Sequence, residues 1–205
     1  MPAPSPIDLP TRCRCGHVAG TVLDVSPRTV NHAICYCRDC RAYARWLGKL
    51  ELLDSAGGSD IVQAALGRVR FSEGLDALAC MRLSPKGMHR WYADCCRTPV
   101  GNTMLGLPFI GLAASFLDPA RPRPLEASCG PAVAIQEQSA TGPVPGGVHR
   151  LAQVRSIAHA ARLFATWMVT GAARPTPLFD DAIRTPRVTP RVLSREERDA
   201  LRDPA

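Results

Sequence analysis

The sequence predicts a mainly β protein of short antiparallel strands with a helical C-terminal extension, and three observations carry that prediction. Between Thr11 and Leu117 the apolar residues come in short runs broken by turn formers, the pattern of strands rather than of amphipathic helices. The clearest 3.6-residue period lies late in the chain, from Leu151 to Val169. Seven of the 9 cysteines fall into three tight groups within the β region, a density that suits metal ligation in a reducing compartment.

Four segments read as strands: GTVLDV (20–25), DIVQAAL (60–66), LDALACMRL (75–83) and HRWYADC (89–95). SPKG, Ser84–Gly87, joins the last two as a hairpin turn, because Pro85 presets φ and Gly87 permits positive φ. LPFIGLAASFL (107–117) is apolar enough for a buried strand. RAYARWL, Arg41–Leu47, reads as a short helix stopped by Gly48.

The domain organisation follows from shifts in composition. Residues 1–10 read as a flexible Pro-rich lead, and 11–117 as the β domain. Residues 118–148, with DPARPRPLE and TGPVPGGV, read as a linker or wrapping loop. Residues 149–205 hold the late helix and a Pro/Arg-rich tail. In that helix Leu151, Val154, Ile157, Ala158, Ala161, Phe164, Ala165 and Met168 follow the period, Arg155, His159 and Arg162 share the opposite face, and Gly171 supplies a stop. Ser194 and Glu197 have capping-box spacing and start a short terminal helix.

A hydrophobic content of 46% over 205 residues supports a sizeable core. No apolar run approaches a membrane span, and the N-terminus lacks the basic head and apolar stretch of a secretory signal. The expected location is the cytoplasm, with no membrane partner. The surplus of 25 basic over 18 acidic residues gives a net charge of +7. The arginines are scattered, without aromatic-basic interleaving, so solvated surface is the better reading and a nucleic-acid partner a background one.

The chemistry is carried by Cys13 and Cys15 in CRCG, by Cys35, Cys37 and Cys40 in CYCRDC, and by Cys95 and Cys96 in YADCCRTP. Cysteines at i and i+2 of an extended chain point the same way, and Cys-x-x-Cys in a tight turn folds two thiolates inward. Zinc accepts such sets tetrahedrally, although spacing alone does not separate it from iron. A closed structural zinc takes four protein ligands, whereas a working one keeps a position open. Cys35, Cys37 and Cys40 supply three, and His32 is the nearest other candidate. The alternatives are a structural knuckle whose fourth ligand comes from elsewhere, or a disulfide framework. Cys80 and Cys129 read as small buried residues.

CRCGHVAG, CYCRDCR and RWYADCCRTPVGN, in this order, resemble the glutathione-dependent formaldehyde-activating enzyme family, which includes centromere protein V-like proteins. The resemblance covers roughly residues 11–117 and implies a β-tent with one or two zinc ions per chain. It assigns Cys13 and Cys15 to a structural zinc, and Cys35, Cys37 and Cys40 to a second, proposed catalytic one with an open position. The third motif departs from the family pattern: Ala93 replaces the first cysteine of the pair, Cys96 matches the second, and Arg97 replaces a glycine. Cys95 would complete the structural set only if a bulge or turn at Asp94–Arg97 brought both neighbours inward.

By that resemblance the expected activity is carbon–sulfur lyase-like, on a small thiol–aldehyde adduct of the S-hydroxymethylglutathione type, with glutathione as the small thiol. Arg38 and Arg41 bracket the triplet as a candidate basic rim, and His89, just before the aromatic strand, is the candidate acid–base group. The competing expectation is a zinc-stabilised module that binds a protein partner without catalysis, through its C-terminal helix and tail. The nucleotide-binding glycine patterns, the nucleophile elbow and His-Glu-x-x-His do not occur. The oligomeric state is open.

Overall fold

The structure is a computed structural model that describes residues 5–118, 120, 123–180, 182 and 185–202. It is mainly β, with two sheets. Strands β1 (Ile7–Arg12), β2 (Ala19–Val25) and β5 (Val69–Glu73) form a small antiparallel sheet in the order β1-β2-β5. The large sheet has at its centre β3 (Asn31–Cys35), β4 (Ser59–Ala65), β9 (Phe109–Ala113), β8 (Thr98–Thr103), β7 (His89–Ala93) and β6 (Leu78–Arg82), in that order and all antiparallel. Helix α1 (Arg38–Leu47) follows β3 directly and ends where Gly48 takes φ 68°, the left-handed conformation that favours glycine at a helix stop.

The rest of the chain is woven into this body. Helix α2 (Leu125–Cys129) leads into β10 (Val133–Ile135), which pairs parallel with β3 at one edge of the large sheet. After helix α3 (Arg150–Val169), β11 (Arg191–Val192) pairs parallel with β6 at the other edge. Both edges, which would otherwise present unpaired backbone groups, thus gain partners from strands that follow Leu117 in the chain. Helix α4 (Arg195–Arg202) opens on a capping box: Glu197 N–H donates to Ser194 Oγ (3.1 Å) and Ser194 N–H to the Glu197 carboxylate (2.8 Å).

Two expectations about organisation are corrected. Ile7–Pro10 are not a flexible lead but part of β1, where buried Leu9 faces the core and the backbone pairs with β2; residues 1–4 lie outside the described residues. Residues 118–148 are not a mere linker, because β10 completes a sheet edge and Leu125 and Cys129 enter the main core. Pro and Gly content concealed this, since a three-residue edge strand has too few positions to show a period.

The main core lies between the sheets. Leu9, Val22, Val25 and Val69 of the small sheet meet Val62, Trp91, Ile110 and Leu112 of the large one. Leu178 and Phe179, from the extension, complete it, the Phe179 ring standing edge-on to Trp91 at 5.7 Å. On the other side α1 packs Tyr43 and Leu47 against Met81, Leu83, Tyr92 and Leu193. The Tyr43 hydroxyl donates to Trp91 O (2.8 Å) and ties helix to sheet.

Helix α3 docks by a different face from the one its apolar period suggests. Ser156, Leu163 and Trp167 are the buried positions, with Trp167 and Leu163 against Ala65 and Phe109, and Phe164 stacked on Phe109 at 4.7 Å. Ser156 Oγ donates to Asn31 Oδ1 (3.0 Å), and the His159 ring bonds Val30 O (3.0 Å). His159 therefore leaves the basic stripe, whereas Arg155 and Arg162 stay exposed. Leu151, Val154 and Ile157 are each 63% exposed and Met168 is 65% exposed. The largest surface on the helix, Trp167, decides the docking. The period of the smaller residues does not. No helix among the described residues is long and apolar enough to cross a membrane.

Candidate metal centres

The first centre is built where β1 ends. Cys13–Gly16 turn back toward β2, with Cys13 N–H donating to Val18 O and Gly16 N–H to Cys13 O, both at 2.9 Å. Val18 N–H donates to Cys13 Sγ (3.2 Å), a bond that favours the thiolate. The tight turn between β7 and β8 supplies the other two thiols. Ala93 O accepts from the N–H groups of both Cys96 and Arg97, and Arg97 adopts φ 57°. That curl removes the alternation of an extended strand, so Cys95 and Cys96 point to the same side. The Arg97 side chain lies over the Trp46 ring (4.3 Å) and donates to Trp46 O (2.8 Å), which holds a conformation unusual for a non-glycine residue.

The four sulfurs make a compact group. Cys13–Cys15 is 3.5 Å, Cys15–Cys95 3.3 Å, and Cys13–Cys95 and Cys95–Cys96 are each 3.9 Å. A tetrahedral ion with metal–sulfur bonds of about 2.3 Å sets sulfur–sulfur edges of about 3.8 Å, so the quartet fits one metal ion. Ala93 is fully buried among core residues and takes no part in the group. Cys95 joins the group from the turn. Burial pushes the Cys13 thiol up. Burial does the same at Cys96, but the Thr98 hydroxyl (3.1 Å) and the backbone N–H groups of Cys15 and Thr98 outweigh it and bring the thiol down to about 6.

The second centre forms at the β3–α1 junction. Cys35 closes β3, Cys37 caps α1, and Cys40 lies in the first turn, with its N–H donating to Cys37 Sγ (3.3 Å). The three sulfurs lie within 4.8 Å of one another, and no fourth His, Cys, Asp or Glu among the described residues joins them. The negative charge settles first on Cys37: hydrogen bonds from the Cys35 and Cys40 thiols outweigh burial, aided by the Cys40 N–H and the charge of Arg90, and hold it at about 2. Cys35 is pushed up for the reciprocal reason. The positive end of the helix also favours a thiolate at this position.

His32 is not the missing ligand. Its Nε2 meets Asp60 Oδ1 (2.8 Å) and its Nδ1 meets Gly130 O (2.9 Å), so both ring nitrogens are committed to acceptors. Arg41 is not a basic rim either. It is 7% exposed, and its guanidinium donates to Tyr36 O and Ser139 O (2.6 Å each), fastening α1 to the extension. Arg38 is exposed. His89 is buried against Trp91 and Phe179 and belongs to neither cysteine group, and burial pulls its pKa down. Cys80 and Cys129 are buried in the main core.

Two residues at the triplet had no signal in the sequence. Arg90, on β7, is 3% exposed, places its charge beside Cys37 and Cys40, lies over the Tyr43 ring (5.2 Å) and donates to Asn102 Oδ1 (3.1 Å). Asn102, on β8, shares with Cys40 the wall of a cavity of about 310 Å³, along with Tyr43, Lys49, Ser59 and Asp60. Only the pairing of β7 with β8, which sets Arg90 opposite Asn102, brings them together.

The chain matches a family described as a family of unknown function, DUF6151, over residues 7–187, and it belongs to that family. No curated protein matches. A crystal structure of a Rhodobacter sphaeroides protein aligns with a TM-score of 0.39 and 16% identity, covering 62% of this chain and 100% of that one. A likeness of that degree carries no argument here.

Proposed function

We propose that this DUF6151 protein is a zinc-dependent, carbon–sulfur lyase-like protein that acts on a small thiol–aldehyde adduct of the S-hydroxymethylglutathione type. One contrast carries the reading: the quartet offers four sulfurs, whereas the triplet offers three and has a cavity at Cys40. Closed sets of four are structural, and sets of three leave a position for substrate. All-thiolate donors suit zinc. When bound at Cys35, Cys37 and Cys40, zinc would supply the charge that keeps an incoming thiol deprotonated.

The chain's own residues contribute the rest. Three thiolates around a divalent ion leave one excess negative charge, which the buried Arg90 guanidinium offsets, so that a further anionic sulfur can enter. The first turn of α1 aims the Cys40 N–H at the Cys37 sulfur. The cavity wall of Tyr43, Leu47 and Ile61 limits water around the reacting carbon. The zinc-bound β-tent of the resembled family is the architecture this reading assumes.

The test joins metal content to turnover. Native mass spectrometry should count two zinc ions per wild-type chain and one in Cys37→Ser. Exchange between ¹³C-formaldehyde and its glutathione adduct, followed by NMR, should be accelerated by wild type alone. Equal zinc content in the two proteins, or exchange no faster than without protein, would sink the proposal. A second reading, a zinc-stabilised module that binds a protein partner without catalysis, draws on the exposed Leu151, Val154 and Ile157 of α3.

A further inference from the structure

Asn102 is fixed in a way that gives the cavity a directed hydrogen-bond donor. A guanidinium has donors only, so the atom that Asn102 turns toward Arg90 must be its carbonyl oxygen. The carboxamide NH2 then faces the other way. It has no partner among the described protein groups and is not sealed from solvent, and Asn102 is part of the cavity wall beside Cys40. Arg90 is itself held in place, being 3% exposed and lying over the Tyr43 ring. One buried cation thus sets both the charge at the triplet and the orientation of the amide.

We infer that the Asn102 carboxamide binds the oxygen of the adduct, donating its N–H to a hydroxyl or alkoxide on the carbon whose sulfur sits at the triplet. This rests on the reading of the triplet as a metal site with an open position. In adduct breakdown the hydroxyl proton leaves to water, the oxygen's electron pair forms the C=O bond, and the C–S bond breaks with its pair going to sulfur. In the reverse direction sulfur adds to the carbonyl carbon, the π pair moves to oxygen, and water returns the proton. Negative charge grows on the oxygen in both directions, where a fixed donor in a shielded site stabilises it most. The ligand class is accordingly a small thiohemiacetal, with its hydroxyl on the carbon bonded to sulfur.

The test uses binding rather than turnover. Full-length protein loaded with cobalt(II) reports thiol entry at the triplet through its sulfur-to-metal absorption. The probes are 2-mercaptoethanol, a stable analogue with its hydroxyl one carbon further out, and ethanethiol, which lacks the hydroxyl. Asn102→Asp keeps the Arg90 partner and the side-chain shape but removes the donor, and Asn102→Ala serves if that variant does not fold. The preference for 2-mercaptoethanol should be about three- to tenfold larger in wild type than in either variant, the worth of one net hydrogen bond. Comparing ratios cancels the differing acidities of the two thiols. Equal ratios in wild type and variants, with both thiols binding, would overturn the inference and leave the metal reading standing. If neither thiol changes the wild-type spectrum, the open position does not exist and both fall.

Discussion

Replacing Cys95 with serine tests the quartet cleanly, because Cys95 is exposed and loses no packing on substitution. Any change in stability must then come through metal binding. The quartet ties Cys13 to Cys95, 82 positions apart. Treated as a cross-link that closes a loop of that length in the unfolded chain, it contributes about 4–5 kcal/mol at 25 °C. For a chain of this size that corresponds to about 8–20 °C in melting temperature. The assay is thermal unfolding of metal-loaded wild type and Cys95→Ser, each with and without a chelator. Chelation should lower the wild-type midpoint by much more than that of the variant, and the loaded variant should melt well below loaded wild type. Triplet metal is stripped from both proteins, so the difference isolates the quartet. If the two loaded proteins melt together, the quartet is not a metal cross-link.

Three further predictions concern groups around the two centres and on α3. Arg90→Met should weaken metal at the triplet by about 10- to 100-fold, as loss of outer-sphere partners does elsewhere, with the quartet unaffected; competition against a chromophoric chelator measures both, and equal triplet affinities would reduce Arg90 to packing. For His32, burial lowers the pKa, but the bonds to Asp60 and Gly130 O outweigh it, so the folded value lies above 6.5. Its contribution to stability is therefore full below pH 6.5 and is lost as pH rises through the folded value. Asp60→Asn should flatten that part of the melting profile, by about 1 kcal/mol or less because the Asp60 side chain is 40% exposed; an unchanged profile would remove His32 from the account. On α3, Val154→Lys should alter stability by no more than about 0.5 kcal/mol, whereas Trp167→Ala should cost about 3–5 kcal/mol. Denaturant unfolding compares them, and the opposite order would mean that the helix docks by its periodic stripe.

Local signals were the legible ones. Gly48 stops α1, Ser194 and Glu197 cap α4, and the turn at Ser84–Gly87 joins β6 to β7, each through chemistry confined to a few neighbouring residues. The cysteine groups were legible because their spacing is itself short-range. Cys95 depended on whether Arg97 would accept positive φ, which its stacking on Trp46, 51 positions away, decides. Arg90 and Asn102 depended on strand register, and their roles exist only across the β7–β8 pair. On α3 the period was read correctly and its direction was not. A period shows that a helix has two faces, while Leu163 and Trp167 choose which face docks.

The placement of β10 and β11 bears on how the protein comes to be made. The six central strands of the large sheet are complete by Ala113, yet their flanking partners arrive only at Val133 and Arg191. During synthesis the six strands are made before either flanking partner, and the second flank has none until Arg191 and Val192 follow. Strand flanks in that state recruit other strands. Late residues with little local structure of their own therefore act as end-stops, and nonsense or frameshift changes between Ala113 and Arg191 would leave a sheet with at least one adhesive flank.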